Sequence, residues 1–295
     1  MKKTTAKKPH PWEEPPPPAD VRRDTWFKWG WRAPDAARNP ALGPVSWMYG
    51  KSALDSLRRL AAGSRRVLDI RCGSGWLLWE AAKVAPQAQL LGLDTRAEAV
   101  AWGQAQCEVR LGRSMGQVEI RQQDFLDFEG EPASYDLLIC SFALHHWSDA
   151  SALLEKMQQL LKPGGHVFYY DATEPTEHTV DRLSRYYFRR QRLRGVATDL
   201  WNVRRQVRAG YARDSLRSLR HPEAPSEGEF FAVLQSQFSV LEQGRLRALC
   251  DLWLRSLPKK LSWLWLIALL WLDRLVIALK WLDGCRRFAV ARKES

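Results

Sequence analysis

The sequence has few cysteines, and their spacing fits none of the common cysteine chemistries. Its five cysteines lie at least 33 residues apart, so the chain contains no CxxC pair. A zinc knuckle or a redox dithiol needs two close cysteines, and an odd number does not suit a fully paired disulfide scaffold. We therefore expect isolated, reduced thiols and no metal site.

Long apolar runs are absent as well. An uninterrupted apolar run at 263–272 has ten residues, whereas a membrane-spanning helix needs about 18 or more. Residues 1–20 begin with basic residues but lack the apolar core of a secretory signal. The mean hydropathy of −0.39 with 45% hydrophobic residues excludes a polytopic membrane protein and a fully disordered chain. We expect a cytoplasmic protein.

Positive charge and tryptophan are abundant but unevenly distributed. The 295 residues include 45 Lys and Arg against 33 Asp and Glu, and the 15 Trp outnumber both Tyr and Phe. Segment 181–220 alone carries 12 Arg against three Asp, an excess of 12 − 3 = +9 out of the total net charge of +12. Five of the Trp lie between 253 and 281. The basic and Trp-rich character therefore belongs to particular segments.

Between these segments, short apolar runs alternate with helical patterns. This alternation predicts an α/β fold, Rossmann-like and doubly wound, because a parallel sheet covered by helices needs strands that are apolar on both faces. We expect a mostly parallel seven-stranded sheet with a helical, hydrophobic insertion before the last strand. The predicted strands are 66–70, 89–94, 118–123, 135–142, 166–172, 238–243 and 286–293, and the predicted helices in the first half are 52–62, 76–84, 97–111 and 150–161.

Composition also divides the chain into regions. The proline-rich residues 1–20 predict a disordered leader, because they cannot form a packed core. A Trp-rich segment follows, and the rest is predicted to be one domain with two insertions. The predicted regions are the leader 1–20, the Trp-rich segment 21–50 and the domain 51–295, which includes an Arg-rich helical insert at 181–220 and a hydrophobic insert at 249–285.

A glycine-rich turn, Arg71-Cys72-Gly73-Ser74-Gly75, follows the first predicted strand. Such a turn lets the backbone approach a ligand closely, and the next helix supplies free N–H groups. Leu78 stands where a dinucleotide-binding fingerprint requires a third small residue, which disfavours NAD and FAD. The chain has no GxxxxGK[ST] motif, which excludes a P-loop.

Five motifs in order give the strongest indication of function. They are VLDIRCGSG, LLGLD, QQDF, YDLLICSFALHHW and LKPGGHVFYYD. Over roughly residues 50–175 the sequence thereby resembles the class I S-adenosylmethionine-dependent methyltransferases, in particular the small-molecule and quinone-biosynthesis branch (methyltransferase type 11). Each motif alone is weak, and their order makes the resemblance specific.

The resemblance implies S-adenosylmethionine as the cofactor and a set of contacts for it. It places Asp69 near the methionine amino group, Asp94 at the ribose hydroxyls, and Asp124 with Phe125 at the adenine. A carboxylate suits vicinal hydroxyls because it can accept two hydrogen bonds at once. The implied cofactor-binding residues are Asp69, Arg71, Cys72, Gly73, Ser74, Gly75, Asp94, Thr95, Asp124, Phe125 and Ser141.

Arg71 departs from the family pattern, because it replaces the first glycine of the loop motif. Its side chain could bond the methionine carboxylate, turn outward, or block the site and leave an inactive protein. Since the other motif positions are intact, we favour retained cofactor binding.

His145 and His146 follow the fourth predicted strand, at the sheet edge where ligands of open α/β folds bind. One of them could act as a general base that removes a hydroxyl proton as the methyl group arrives. Alternatively, both make ordinary hydrogen bonds between a loop and a helix. Methyl transfer is an in-line displacement that can proceed by alignment alone, so a base is not compulsory.

The hydrophobic and the Arg-rich segments together predict a membrane surface as partner. A single helix over 261–282 would place Ser262, Asp273 and Lys280 on one polar stripe and leave a wide apolar face with Trp. Arg-rich residues 182–220 would face anionic lipid, with Arg182, Arg185, Arg189 and Arg192 on one helical face. The alternatives for 261–282 are a lid, a helix of a homodimer, or an anchor.

These features predict methyl transfer to a hydrophobic small molecule (a quinone, lipid or polyketide-like compound) at the cytoplasmic face of a membrane. Whether O, C or N is methylated cannot be read from the sequence. The alternative is a catalytically inactive protein of the same fold that acts as a scaffold at the membrane. A nucleic-acid methyltransferase is disfavoured, because no Asn/Asp-Pro-Pro-Tyr/Phe motif follows the fourth strand and no RNA-binding motif is present, so no nucleic-acid partner is expected.

Overall fold

Helices and strands alternate along the chain in the computed structural model. It describes residues 50–111, 118–143, 147–173, 176–214, 226–246, 271–284 and 286–294. In chain order the elements are α1 (Lys51–Ala62), β1 (Arg66–Asp69), α2 (Trp76–Val84), β2 (Gln89–Asp94), α3 (Ala97–Leu111), β3 (Val118–Gln122), β4 (Tyr135–Ser141), α4 (Ala150–Leu160), β5 (Leu161–Ala172), α5 (Glu177–Leu193), α6 (Leu200–Asp214), α7 (Glu227–Gln237), β6 (Ser239–Leu246) and β7 (Arg286–Arg292).

The described strands form one seven-stranded sheet in the order β3-β2-β1-β4-β5-β7-β6. Strands β1 to β5 are parallel, and β7 runs antiparallel to both of its neighbours. This confirms the predicted doubly wound, mostly parallel fold. The strand order reverses between β1 and β4, and at such a switch point the loops at the carboxyl ends of the strands diverge and leave a crevice for a ligand.

Helices cover both faces of the sheet, so each face has its own core. On one face α1 and α2 bury Leu54, Leu57 and Leu78 against the sheet. On the other face α4 and α7 bury Met157 and Phe230. Strands that are covered on both sides lose the alternation of polar and apolar residues, and the uninterrupted apolar runs of the sequence reflect this.

A third, smaller cluster joins α5, α6 and residues 271–282. Its buried members are Leu183, Val203, Val207, Val276 and Leu282. Residues 271–278 are helical, whereas 247–270 lie outside the described residues. The expectation of a helix running to residue 282 is wrong, because the helix ends at 278 and Lys280 has a φ of 51°.

The orientation of this helix also differs from the prediction. Asp273, which we expected to face water, is only 3% exposed, whereas Trp271, Leu275 and Leu279 are 66%, 54% and 69% exposed. Residues three apart share a helix face, so burial of Val276 in the third cluster turns Asp273 inward and the apolar residues outward.

No helix among the described residues is both long enough and apolar enough to cross a membrane.

Two local features of the second half can be checked against the sequence. Helix α7 begins with a capping box, a pattern that the spacing of Ser226 and Glu229 in the sequence allows. The Ser226 and Glu229 side chains each accept the other residue's backbone N–H. The turn formed by residues 162–165 of the LKPGG motif lies within β5, which begins at Leu161 rather than at the predicted His166. These residues form an irregularity in the pairing with β4, and Gly164 has a φ of 76°. The strand resumes beyond the irregularity, so the turn does not end the pairing.

The packing of the loop against β2 yields a stability prediction. A Cβ atom on Gly92 would lie 2.6 Å from Leu78 Cδ1 and 2.7 Å from Cys72 Sγ. Gly92→Ala should therefore lower the free energy of unfolding by about 1–3 kcal/mol, the usual cost of overpacking. Gly228→Ala is the matched control, because nothing lies within 4 Å of its added methyl group. Urea denaturation of both variants measures the difference, and an unchanged midpoint for Gly92→Ala would contradict it.

Candidate functional site

The glycine-rich loop is hydrogen-bonded to the end of the neighbouring strand. The Cys72 N–H donates to the Leu93 carbonyl oxygen at 2.8 Å. The Gly73 N–H donates to Asp94 Oδ2 at 2.9 Å. Because β1 and β2 are parallel, their carboxyl ends meet at one edge of the sheet, and the loop lies across that edge.

Two glycines give the loop its shape. Gly73 has a φ of 56° and Gly75 a φ of 85°, in the left-handed region that other residues rarely adopt. Gly75 is also the N-cap of α2, and a Cβ there would lie 2.7 Å from Ile120 Cδ1. Ser74, between them, is buried. The loop therefore offers bare backbone beside the N-terminus of a helix.

Asp94 is the centre of the hydrogen-bond network. Its side chain is completely buried. Oδ1 accepts the Arg96 backbone N–H at 2.9 Å and the Arg96 Nε–H at 3.1 Å. Oδ2 accepts the Gly73 N–H. Thr95, the next residue, is exposed, and its carbonyl oxygen accepts a hydrogen bond from the Gln122 side chain.

Arg71 turns inward toward Asp94. Its side chain is only 10% exposed, and its Nε lies 3.7 Å from Asp94 Oδ2. That Nε is buried and makes no hydrogen bond. Burial lowers the pKa of Arg71, while the negative charge of Asp94 opposes this shift. Of the three alternatives for Arg71, the outward-turned side chain is therefore wrong.

Asp69 is a second buried carboxyl group at this edge. Burial, with a smaller contribution from the nearby Asp94, raises its pKa to about 8, although the Arg71 backbone N–H opposes the shift. That N–H donates to Asp69 Oδ1 at 3.3 Å. In this arrangement Asp69 holds a proton at neutral pH, and Asp94 supplies the negative charge of the loop.

The Cys72 thiol is unreactive. Burial raises the pKa of its thiol well above the ordinary value, and the neighbouring Asp69 and Asp94 raise it further. A thiol that stays protonated is a poor nucleophile. Its sulfur packs close to Gly92, and we assign it to packing.

Asp124 and Phe125 are linked to a tryptophan that the sequence did not single out. Asp124 Oδ1 accepts the Leu126 N–H at 2.8 Å and the Trp147 indole N–H at 3.4 Å. Phe125 is 1% exposed and packs edge-on against Trp147. Asp124 is close enough to Arg71 for its charge to raise the pKa of Arg71. The predicted adenine contact through these residues stays a prediction.

The carboxyl end of β4 lies at the same edge of the sheet as those of β1 and β2. Ser141 is 6% exposed, and the next residue, Phe142, has a φ of 49° and packs edge-on against Tyr170. His145 and His146 lie outside the described residues, so their role as general base stays a prediction.

Sequence reasoning missed Arg96 in this site. Its position two residues after the acidic end of β2 could have indicated it, because a long side chain there can fold back onto the carboxylate. In the structure the Arg96 guanidinium also lies over the loop, since a Cβ on Gly73 would be 3.3 Å from its Nη2. Two arginines therefore flank Asp94.

The buried Asp69 predicts a particular pH dependence of stability. A folded pKa raised from about 3.8 to about 8 contributes stability that is fully present below the unfolded pKa and lost as pH rises through the folded one. The difference in unfolding free energy between wild type and Asp69→Asn should therefore shrink from pH 5 to pH 8, by up to about 1.4 kcal/mol per pH unit. Urea denaturation at several pH values measures this.

Asp55→Asn, which removes an exposed carboxylate of α1, controls for the loss of a charge. If the difference in unfolding free energy between wild type and Asp69→Asn stays constant between pH 5 and pH 8, Asp69 is ionised in the folded protein throughout this range.

Comparisons with known proteins agree with this geometry. Residues 68–167 match the sequence model of a family described as a methyltransferase domain. A ubiquinone biosynthesis O-methyltransferase of Xanthomonas euvesicatoria pv. vesicatoria is 33% identical over 141 residues, which cover 47% of this chain and 54% of the relative. A demethylmenaquinone methyltransferase of Geobacillus kaustophilus is 26% identical over 137 residues, or 46% and 57% of the two chains. The chain thus spans little more than half the length of these relatives.

A solved structure shows the same fold. It is that of a putative sarcosine dimethylglycine methyltransferase from Galdieria sulphuraria, with a TM-score of 0.53 at 12% identity over 93% of this chain and 98% of the other. This similarity concerns the fold alone. The family match covers the glycine-rich loop, Asp94 and every other residue of the predicted cofactor-binding set. The segment from 68 to 167 is accordingly a methyltransferase domain.

Proposed function

We propose that the chain is an S-adenosylmethionine-dependent methyltransferase that acts on a hydrophobic small molecule at a membrane surface. One observation carries the first part: a bare glycine loop lies across the carboxyl ends of β1 and β2, beside the buried Asp94. The family match over 68–167 supports the reaction class. The names of the two relatives, which concern quinones, favour an apolar acceptor.

The site has the features that this cofactor requires. The positive φ angles at Gly73 and Gly75 leave room for a ligand against the loop, and the helix dipole of α2 adds a favourable field for the ligand's carboxylate. Asp94 can accept hydrogen bonds from ribose hydroxyls. The cofactor, when bound, supplies an activated methyl group on a positively charged sulfur.

The chain's own residues then act by position and charge. Asp69 holds a proton in the arrangement described, and a cationic amino group placed beside it would favour its ionised form. Asp94 keeps its orientation through the backbone N–H groups of Gly73 and Arg96. Alignment of acceptor and donor is enough for an in-line displacement, so the described residues need not include a base.

Arg71 favours one alternative function, that of an inactive scaffold with a methyltransferase fold. Its buried guanidinium lies beside the carboxylate that a ribose would use, and a positive charge there opposes a sulfonium ligand. The two functions differ in whether the protein binds the cofactor at all.

Calorimetry distinguishes them. The wild-type protein should bind S-adenosylmethionine, and Asp94→Asn should weaken binding at least about tenfold, because a charged acceptor contributes about 1.5–3 kcal/mol per hydrogen bond. Asp55→Asn, on the exposed face of α1, should bind like wild type. Absence of heat at millimolar ligand would contradict the enzyme proposal and support the scaffold.

The membrane part of the proposal rests on an exposed apolar ridge. We define this ridge as Trp271, Leu272, Leu275, Leu279 and Trp281, which are 39–69% exposed. Trp271, Leu275 and Leu279 follow one another at four-residue spacing, which places them on one side of the helix and its end. Exposed apolar patches of this kind commonly mark a surface that meets a partner. Trp and Leu at a surface suit the boundary between lipid headgroups and acyl chains.

The helices that pack in the third cluster with the segment of the ridge carry exposed positive charge. The Arg274 guanidinium lies 5.7 Å from the Trp271 ring, and that of Arg205 lies 5.1 Å from the exposed Trp201 ring on α6. The four arginines predicted on one face of α5 are all exposed: Arg182, Arg185, Arg189 and Arg192. Each basic residue near an anionic membrane contributes about 1 kcal/mol of attraction. Apolar insertion and charge therefore favour the same partner.

Liposome flotation tests this surface. Wild-type protein should float with vesicles of anionic phospholipid, and Leu275→Ser/Leu279→Ser should reduce the floating fraction at least about tenfold, since burying two leucines is worth about 3 kcal/mol or more. Leu126→Ser/Leu241→Ser is the matched control, because it removes two exposed leucines elsewhere. Equal flotation of the two double variants would remove the ridge from the proposal.

A further inference from the structure

We propose that Arg71 and Arg96 compete with the ligand for Asp94, so that their side chains must withdraw before the ribose of an adenosine-containing ligand can bind. This inference rests on the proposed function for the identity of the ligand. It assigns to the two arginines the role of setting its affinity.

The number of acceptor positions on Asp94 carries the first step. A carboxylate offers about four lone-pair positions to hydrogen-bond donors. The Gly73 N–H, the Arg96 N–H and the Arg96 Nε–H take three of them. The remaining position is on Oδ2, and Arg71 Nε lies 3.7 Å from that oxygen. Two vicinal hydroxyls need two acceptor positions, so Asp94 cannot accept hydrogen bonds from both hydroxyls in the arrangement described.

The donors differ in how easily they can leave. The N–H groups of Gly73 and Arg96 belong to the backbone of the loop and of the turn after β2, so their bonds persist as long as the fold does. The two guanidinium groups are side chains that can rotate away. Arg96 is 35% exposed, so its charge can move into water at little cost. Withdrawal of Arg96 frees one position on Oδ1.

Arg71 is held less firmly at Asp94 than Arg96 is. Its Nε is buried without a hydrogen bond, and 3.7 Å exceeds the usual hydrogen-bond length. A buried donor without an acceptor is destabilising, because it has lost its hydrogen bonds to water. The inward position of Arg71 is thus sustained mainly by the charge of Asp94, and a ligand that takes over this carboxylate releases it.

A different role for Arg71 makes an opposite prediction. If Arg71 bound the methionine carboxylate of the ligand, its removal would weaken S-adenosylmethionine and leave a ligand without that carboxylate unaffected. 5′-Methylthioadenosine is such a ligand, since it keeps the ribose and adenine but has neither the carboxylate nor the positive sulfur. Comparing the two ligands therefore separates competition from carboxylate binding.

The experiment is calorimetric titration of wild type, Arg71→Met and Arg96→Met with both ligands. Methionine keeps an unbranched stem and removes the charge. Each variant should bind 5′-methylthioadenosine at least about threefold more tightly than wild type, since each removes a cation that competes for Asp94, Arg96 through a hydrogen bond and Arg71 through its charge. Arg66→Met is the control, because Arg66 stands at the opposite end of β1 and pairs with Glu131. It should bind like wild type.

Each outcome decides the inference. Tighter binding of 5′-methylthioadenosine by both variants supports it, also where wild type itself shows no binding. Wild type that binds S-adenosylmethionine while neither arginine variant tightens 5′-methylthioadenosine overturns the inference and leaves the proposed function intact. No binding of either ligand by any variant overturns both. Thermal unfolding verifies that each variant is folded. The Arg96 side chain is partly exposed, so Arg96→Met is expected to disturb the core less than Arg71→Met.

Discussion

The hydrogen bond from the Gly73 N–H to the buried Asp94 is the constraint on which the rest of the site depends. It ties the loop after β1 to the end of β2, and it is possible only because the two strands are parallel neighbours. The left-handed backbone at Gly73 and Gly75 permits the close approach. Together with the bond from the Cys72 N–H to the Leu93 carbonyl oxygen, it holds the backbone of the loop at the sheet edge.

Burial of that carboxylate then determines the charges around it. A buried negative charge must be compensated, and in this chain two backbone N–H groups and two guanidinium groups compensate Asp94. Its neighbour Asp69 forms no ion pair among the described residues, and burial raises its pKa to about 8. The two carboxyl groups end neighbouring strands, yet they are held differently. Four donor groups surround Asp94, whereas Asp69 accepts one long backbone hydrogen bond.

The sequence predicted the sheet well because a buried strand is marked by a local feature, a short run of apolar residues. Uninterrupted apolar runs such as Val67–Leu68 and Leu137–Cys140 are buried on both faces, and a run of that kind can be recognised without knowing its partners. The site was predicted only in part. The direction of Arg71 depends on Asp94, which is 23 residues away in the chain, and Arg96 shows its role only when the loop folds over it. Asp273 likewise faces inward because Val276, on the same face of its helix, packs with residues of α5 and α6. The helical periodicity of 261–282 carries no information about these packing partners.

The separate core beneath the apolar ridge has an evolutionary consequence. Leu183, Val203, Val207, Val276 and Leu282 pack mainly with one another, whereas the glycine loop depends on the cores of the sheet. The three clusters share no buried residue, so the positions that shape the ridge differ from those that hold the loop. Selection can therefore act on the exposed ridge and on the glycine loop through substitutions at different positions of the chain.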